Sequence, residues 1–127
     1  MTEWQHIHSE SRNGFDINLY VRPEDLALED VLDTGIDPET GKQWFDFDEM
    51  YEQIENGTLL HFVAKITASF GELELAEDYL GSCLYASHAE FYEAKNDLYD
   101  NMVDEVILEA RKHLRDIQVR MIAVDLD

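Results

Sequence analysis

The sequence predicts a single α+β domain, residues 1–127, in which an antiparallel sheet of about four strands packs against a long C-terminal helix, with one or two short helices besides. Three observations predict this fold. Apolar and polar residues alternate in two parts of the chain, an Asn-Gly pair separates two such runs, and apolar residues recur every three or four positions near the C-terminus. Apolar residues make up 45% of the chain, so a core can form despite the high charge.

Two strands are predicted first, over residues 4–10 and 14–22. The turn between them contains Asn13-Gly14, a pair that is typical of tight hairpins. In the second strand, apolar residues alternate with polar ones, which predicts one buried face. The same alternation places His6 and His8 on one face of the first strand.

Short helices are predicted after this hairpin, over residues 24–32 and 47–55. Asp46 is the expected N-cap of the second helix, and Asn56-Gly57 ends it. The intervening stretch holds glycine and proline and is expected to be irregular.

The clearest strand signal runs over residues 58–70, where apolar residues again alternate with polar ones. The chain then turns at Gly71 and returns as a strand over residues 72–77. Alternation predicts that Leu73 and Leu75 point inward and that Glu72 and Glu74 share the outer face.

Two helices are predicted to complete the domain. Ser87 is the expected cap of a helix that begins at His88. The last helix runs over residues 97–121 and carries one apolar stripe. The stripe consists of Leu98, Met102, Val106, Ile107, Ala110, Leu114, Ile117 and Met121.

The charge is extreme, because 29 acidic residues stand against nine Lys and Arg, giving a formal net charge of −20. Residues 24–55 hold twelve acids with only Lys42 opposing, and residues 72–105 hold ten with only Lys95. Such an excess opposes compaction, so we expect it to serve a strongly basic partner. The candidate partner-binding residues are Glu29, Asp30, Asp33, Asp37, Glu39, Trp44, Asp46, Asp48, Glu49, Glu52, Glu72, Glu74, Glu77, Asp78, Glu90, Glu93, Asp97, Asp100 and Asp104.

Spacing suggests that some of these acids form rows. Glu93, Asp97, Asp100 and Asp104 follow a 4, 3, 4 pattern, which places them on one helix face if the helix is continuous. Neighbours in such a row lie ~5–6 Å apart at Cβ. That spacing is close to the separation of phosphates along a nucleic-acid strand, which advance by roughly 3.4 Å of axis each.

Catalytic and metal sites are not expected, and no cofactor is predicted. His6 and His8 supply two possible metal ligands without a third. Cys83 is expected to be a structural cysteine, typical of a reducing compartment. The chain has no P-loop, no Gly-x-Gly-x-x-Gly and no Gly-x-Ser-x-Gly motif.

The charge therefore predicts a basic nucleic-acid-binding protein or complex as partner. Direct nucleic-acid binding and membrane binding are not expected, because phosphates and anionic lipids repel this chain. No apolar run reaches the length of a membrane span, and the N-terminus lacks the pattern of a signal peptide. We expect a cytoplasmic monomer or homodimer.

In size, single cysteine, acid excess and carboxylate rows, the chain resembles the acidic DNA-mimic inhibitors of phages and mobile elements, which include antirestriction and anti-CRISPR proteins. The resemblance concerns charge pattern and matches no family motif. It implies a non-catalytic inhibitor that occupies the nucleic-acid channel of a target, in the host cell cytoplasm if the protein is phage-encoded.

Three alternatives stay open. The first is an immunity or antitoxin protein that neutralises a basic toxin such as a nuclease. The second is a small enzyme or metal-binding protein that uses His6, His8 or Cys83. The third is an acidic accessory domain adapted to a salt-rich environment.

Overall fold

The computed structural model of the protein describes residues 3–93 and 97–125, with side chains described up to residue 121. It confirms the predicted α+β architecture: a sheet with a long C-terminal helix and a few short helices. In chain order the elements are β1 (Gln5–Arg12), β2 (Phe15–Pro23), α1 (Leu28–Val31), α2 (Phe47–Asn56), β3 (Leu60–Phe70), β4 (Leu73–Tyr85), α3 (His88–Tyr92) and α4 (Asp97–Asp125).

The sheet has four strands in the order β1-β2-β3-β4, and every neighbouring pair is antiparallel. The β1–β2 turn is the predicted Asn13-Gly14 pair, in which both residues have positive φ, at 56° and 86°. That conformation matches the twist of the two strands, which is why this dipeptide favours hairpins.

The core lies between one face of the sheet and α4. Ile17 and Leu19 of β2 and Ile66 of β3 are fully buried there. From α4, Val103 and Ala110 are buried in the same cluster. The opposite face of the sheet carries the polar residues of the alternating pattern.

A bulge in β1 overturns one prediction. His6 pairs with Tyr20 whereas His8 pairs with Leu19, so one extra residue stands between the two histidines. The bulge reverses the alternation, because side chains along a strand switch faces at every residue. His6 and His8 therefore lie on opposite faces, and the predicted shared face is wrong.

Strand β4 is longer than predicted, continuing to Tyr85 rather than ending at residue 77. The pairing of β4 with β3 is irregular at Leu75 and near Ser82, whose φ is 55°. These irregularities interrupt the alternation of apolar and polar residues from which a strand is predicted. Leu75 is buried as expected, but Leu73 is 47% exposed at the strand end. Glu72 lies in the turn, so it does not share a strand face with Glu74.

The helices differ from prediction at their ends. Only residues 28–31 of the predicted 24–32 helix are helical, because the Glu24 carboxylate accepts the Leu26 amide hydrogen and holds the preceding chain in a turn. The N-cap of α1, Ala27, also supplies no side-chain hydrogen bond. By contrast, Asp46 caps α2 by accepting from the amide of Glu49, as predicted.

Helix α4 begins at residue 97, as predicted, and extends past the predicted end at residue 121. Its buried face is rotated relative to the predicted stripe, since Tyr99 and Val103 are buried whereas Leu98 and Met121 are 44% and 61% exposed. The inner positions of the stripe, such as Val106, are buried as predicted.

Candidate partner-binding surface

The first acid-rich part of the chain connects β2 to β3. We define residues 24–57 as the acidic segment. Only Leu28 and Phe47 are buried in it, and neither belongs to the core cluster between sheet and helix. The segment therefore adds little to the main core while displaying twelve carboxylates with one lysine.

Carboxylates of the acidic segment have no ion-pair partner in the part of the chain that the structure describes. In residues 3–93 and 97–125, none of its twelve acids forms an ion pair within 4.0 Å. Glu29, Asp30, Glu39, Asp48 and Glu52 are all exposed. Since exposed unpaired charges do not stabilise the fold, their charge is free to act on another molecule.

The two helices of the acidic segment are tied together by one side chain. The Tyr51 hydroxyl of α2 donates to Oε1 of Glu29 (2.5 Å) and accepts from the amide of Leu28 (3.0 Å) in α1. The hydrogen bond to Glu29 raises the pKa of Tyr51. This contact fixes where Glu29 lies relative to the acids of α2.

Three of the candidate carboxylates also shape the backbone. Asp33 accepts from the amide of Gly35 (2.7 Å), Asp37 accepts from Glu39 (2.9 Å), and Asp46 caps α2. Short acidic side chains favour such turns because they can satisfy a nearby backbone amide. These three residues therefore have a structural role in addition to any role in binding.

Trp44 is held in place although it is 53% exposed. Its amide donates to the carbonyl of Gly35 (3.2 Å), and a Cβ on Gly35 would lie 3.6 Å from its indole ring. The adjacent Ile36–Gln43 bridge closes the loop that presents the ring. A large aromatic that is both exposed and positioned is typical of an interface anchor. Of the nearby aromatic residues, Phe47 is buried and Phe45 is half-buried.

The predicted carboxylate row on α4 is only partly correct. Asp100 is half-buried and forms an ion pair with Arg12 of β1 at 3.2 Å, and Asp104 lies 3.9 Å from the same guanidinium. Arg12 also pairs with Glu10 at 2.7 Å. Asp97 is exposed at the helix start. The row therefore carries less free negative charge than its spacing suggests.

Glu93 does not belong to this row. It is the exposed C-cap of α3, with an extended backbone (φ −68°, ψ 159°), so the helix is not continuous from residue 93. The predicted four-membered row on one helix is wrong at this position.

The remaining candidates lie around β4 and α3. Glu74 and Glu77 are exposed, as is Glu72 in the turn before the strand. Asp78 is half-buried and accepts from the amide of Tyr79 (2.9 Å). Glu90 is exposed on α3 and accepts from the amide of Ala86 (3.2 Å), in the manner of a capping box with Ser87.

A cationic cluster on the open face of the sheet was not predicted. The Arg22 guanidinium lies 4.6 Å from the Trp4 ring centroid, and the Lys65 ammonium lies 4.8 Å from it. Lys65 also lies 4.9 Å from the ring of Tyr20. These contacts join β2 and β3 to the chain before β1, and no short sequence pattern indicates them. They engage two of the few cations of the protein with aromatic rings.

The candidate chemical residues His6, His8 and Cys83 are engaged in structural contacts or buried. Nε2 of His6 lies within hydrogen-bond distance of Oδ1 of Asn18 (3.0 Å), and Nε2 of His8 lies 3.3 Å from Oε2 of Glu10. The ring of His8 also stacks on that of Tyr92, with ring centroids 4.2 Å apart. Cys83 is buried, and burial raises the pKa of its thiol to about 11. Within the described residues, no group of three or more His, Cys, Asp or Glu is arranged to hold a metal ion.

Comparison with models of known protein families, with curated proteins and with solved structures returned no match. None of the helices in the described residues combines the length and the apolarity needed to cross a bilayer.

Proposed function

We propose that this protein is a non-catalytic inhibitor that binds the basic nucleic-acid-binding surface of a target protein, in the cytoplasm, by presenting carboxylates where the target expects phosphates. The observation that carries the proposal is the acidic segment: twelve carboxylates with one lysine and no ion pairs within the described chain. Surfaces that hold nucleic acid are rich in Lys and Arg, so they are the natural complement of such a segment.

The arrangement of the segment supports this proposal. Tyr51 ties α1 to α2 through Glu29, and Asp46 caps α2, so the carboxylates are displayed on ordered backbone. A partner then binds them without first ordering the chain, which favours affinity. Trp44 supplies a positioned apolar contact among the charges.

Such binding has a characteristic dependence on salt. Many charge pairs at an exposed interface give fast association that weakens steeply as salt rises, because charges are screened beyond ~8 Å at physiological ionic strength. Binding through the apolar contacts alone would depend on salt far less.

The test is capture followed by competition. The immobilised protein is incubated with host lysate at about 50 mM salt, and bound proteins are eluted at about 500 mM. Each captured protein is then mixed with a fluorescent DNA or RNA duplex, and anisotropy is followed as the acidic protein is added. We expect basic proteins to be captured and the duplex to be released. Capture of only acidic or neutral proteins, or a complex that holds both duplex and acidic protein, would contradict the proposal.

A matched pair of variants tests which acids matter. The first variant carries Asp30→Asn, Asp48→Asn and Glu52→Gln in the acidic segment. The control carries Glu105→Gln, Glu109→Gln and Asp116→Asn on α4, where all three residues are also exposed. Each variant loses three negative charges. We expect the first to weaken target binding by about tenfold and the control to change it much less.

If the two variants weaken binding equally, net charge alone is responsible and the acidic segment has no special role. Neutralisation of one toxic nuclease, with other nucleic-acid-binding proteins ignored, would instead support the immunity-protein alternative.

A further inference from the structure

Helix α4 packs one face against the sheet and leaves the opposite face exposed. Leu108 stands in the middle of this exposed face, and its side chain is 53% exposed. Because each residue of an α-helix turns by about 100°, the residues within about 60° of Leu108 around the axis can be assigned from the spacing. They are Asp97, Asn101, Asp104, Glu105, Arg111, Lys112, Arg115 and Val119, and all are exposed. Together with Leu108 we call them the outer face of α4.

The charges of the outer face are separated by sign. Its acids all precede Leu108 and its bases all follow it. The acids are Asp97, Asp104 and Glu105, and the bases are Arg111, Lys112 and Arg115. The helix dipole favours this order, but only within the first and last turns. Residues 104–112 lie in the interior of a helix of 29 residues, so the dipole does not account for their order.

Contacts within the chain use little of this charge. In the part of the chain that the structure describes, Glu105 and Arg111 form no ion pair within 4.0 Å. Lys112 lies 3.5 Å from the exposed Glu109 of the same helix, and exposed pairs of this kind are weak. Asp104 lies 3.9 Å from an arginine of β1 that also pairs with two other carboxylates.

The order of the charges selects the kind of partner. A uniformly basic surface would be repelled by the half of the outer face that follows Leu108. A uniformly acidic surface would be repelled by the half that precedes it. A second copy of α4 in the antiparallel direction places bases opposite acids and acids opposite bases. The outer face is therefore complementary to itself about a twofold axis near Leu108.

We propose that two copies of this chain associate through the outer face of α4, with the helices antiparallel and the two Leu108 side chains in contact at the twofold axis. Helical spacing places Asp104 and Arg111 on one flank of Leu108 and Glu105 and Lys112 on the other. In the antiparallel pair, Asp104 faces Arg111 of the second copy, and Glu105 faces Lys112 of the second copy. Facing residues then differ by only about 1.5 Å along the helix axis. Ion pairs on both flanks therefore surround an apolar centre.

The net charge of −20 does not prevent this association at physiological salt. Charges are screened beyond ~8 Å there, whereas the facing side chains are in contact. Exposed ion pairs and one leucine contact give limited affinity, so we expect half-dimerisation at about 10–100 µM. Dimerisation does not depend on the proposed inhibitor function, because it uses the outer face of α4 and not the acidic segment.

The first test measures the mass of the full-length protein by sedimentation equilibrium from about 1 to about 500 µM. We expect the mass to rise from that of a monomer to that of a dimer. Leu108→Glu places two like charges at the twofold axis and should weaken dimerisation at least about tenfold. Met121→Glu is the matched control, because Met121 is 61% exposed and lies about 140° from Leu108 around the helix. A monomer at every concentration, or equal weakening in the two variants, would overturn the inference.

Charge reversal tests the pairing itself. One variant carries Arg111→Glu and Lys112→Glu, which makes the outer face acidic throughout. The other carries Asp104→Lys and Glu105→Lys, which makes it mainly basic. We expect each variant to be folded by circular dichroism and monomeric alone, and an equimolar mixture to form heterodimers. A mixture that stays monomeric while the wild type dimerises would contradict the proposed pairing.

Cysteine cross-linking tests the direction of the helices. Leu108→Cys places two thiols side by side at the twofold axis, so oxidation should link the two copies. Val119→Cys places them about 33 Å apart in an antiparallel pair, so no link is expected. The native Cys83 is buried and should not interfere. Links at both positions would indicate parallel helices, and links at neither would indicate another interface, so either result would overturn the inference.

These measurements also separate the two proposals. If no dimer forms while basic proteins are still captured through the acidic segment, the outer-face inference fails and the proposed function stands. If the dimer forms and no basic protein is captured, the proposed function fails and the dimer remains.

Discussion

The hydroxyl of Tyr99 donates a 2.9 Å hydrogen bond to Oε2 of Glu10, joining the first turn of α4 to the edge strand β1. The ring of Tyr99 is almost completely buried, with 1% exposed. Burial and this hydrogen bond raise the pKa of Tyr99, so it stays protonated and remains a donor. Arg12 completes the junction by pairing with both Glu10 and Asp100.

Tyr99→Phe removes the hydroxyl that donates to Glu10 and keeps the aromatic ring. We expect the free energy of unfolding to fall by about 1.5–3 kcal/mol, because the lost hydrogen bond is made to a charged group. Urea denaturation measures the change. Tyr79→Phe, at a residue that is 50% exposed, is the control and should change stability by less than about 0.5 kcal/mol. Equal losses in the two variants would show that the junction is not stabilising.

Glu10 makes the same junction sensitive to acid. Partial burial alone would raise the pKa of Glu10, but the hydrogen bond from Tyr99 and the charge of Arg12 outweigh it, and the pKa is lowered from 4.5. The stabilisation is therefore present above the ordinary pKa and is lost as pH falls through the folded-state value.

We accordingly expect the stability difference between wild type and Glu10→Gln to be largest near pH 7 and to shrink toward pH 3. Urea denaturation of both proteins across this range provides the measurement. Comparing the two proteins at each pH cancels the relief of acid–acid repulsion that protonation brings to both. A difference that does not change with pH would contradict the assignment.

The thiol of Cys83 is expected to be unreactive in the folded protein. It is 4% exposed, and burial raises its pKa to about 11, so at pH 8 only about one molecule in a thousand carries a thiolate. Reaction with a disulfide reagent at pH 8 should be slow until denaturant is added and then rapid. Rapid reaction in the native state would reopen a chemical role for this residue.

We expect the protein to fold without added salt despite its large net charge. The core between sheet and α4 contains little of the acidic segment, so repulsion among those acids acts mostly outside it. We expect cooperative thermal unfolding at about 10 mM salt, with a modest rise in Tm on adding salt. Loss of the folded state at low salt would instead favour a salt-adapted domain.

The β1–β2 turn offers a local test of the backbone. Gly14 has a φ of 86°, and a Cβ at this position would meet no atom within 4 Å. Gly14→Ala is therefore expected to destabilise the protein by about 1–2 kcal/mol through backbone strain alone. Asn13→Gly should be nearly neutral, because glycine adopts a positive φ freely. A neutral Gly14→Ala would indicate that the turn adopts another conformation.

Much of the fold was predictable because its signals are local. Alternation in β2 and β3, the Asn13-Gly14 turn and the Asp46 cap each depend on a few adjacent residues. The bulge between His6 and His8 was not predictable, because an inserted residue leaves no mark in the pattern and is fixed by pairing with β2. The second half of β4 was also not predictable, because its register shifts break the alternation of apolar and polar residues.

The acidic composition of the candidate surface was predictable from the sequence, but the ion pairs that some of its carboxylates form were not. Counting acids along the chain identifies the acidic segment. Helical spacing placed Asp97, Asp100 and Asp104 on one row, yet nothing in that spacing shows that Arg12 reaches Asp100 from a distant strand.

The acidic segment enters and leaves the sheet at one place, where Pro23 pairs with Phe62 and the amide of Glu24 donates to the carbonyl of His61. The two ends of the segment are therefore held close together by the pairing of neighbouring strands β2 and β3. We therefore expect replacement or lengthening of the chain between these two ends to leave the pairing of β2 with β3 intact. Changes of sequence within the segment can therefore alter the charge that the protein displays while the two strands that carry it stay paired.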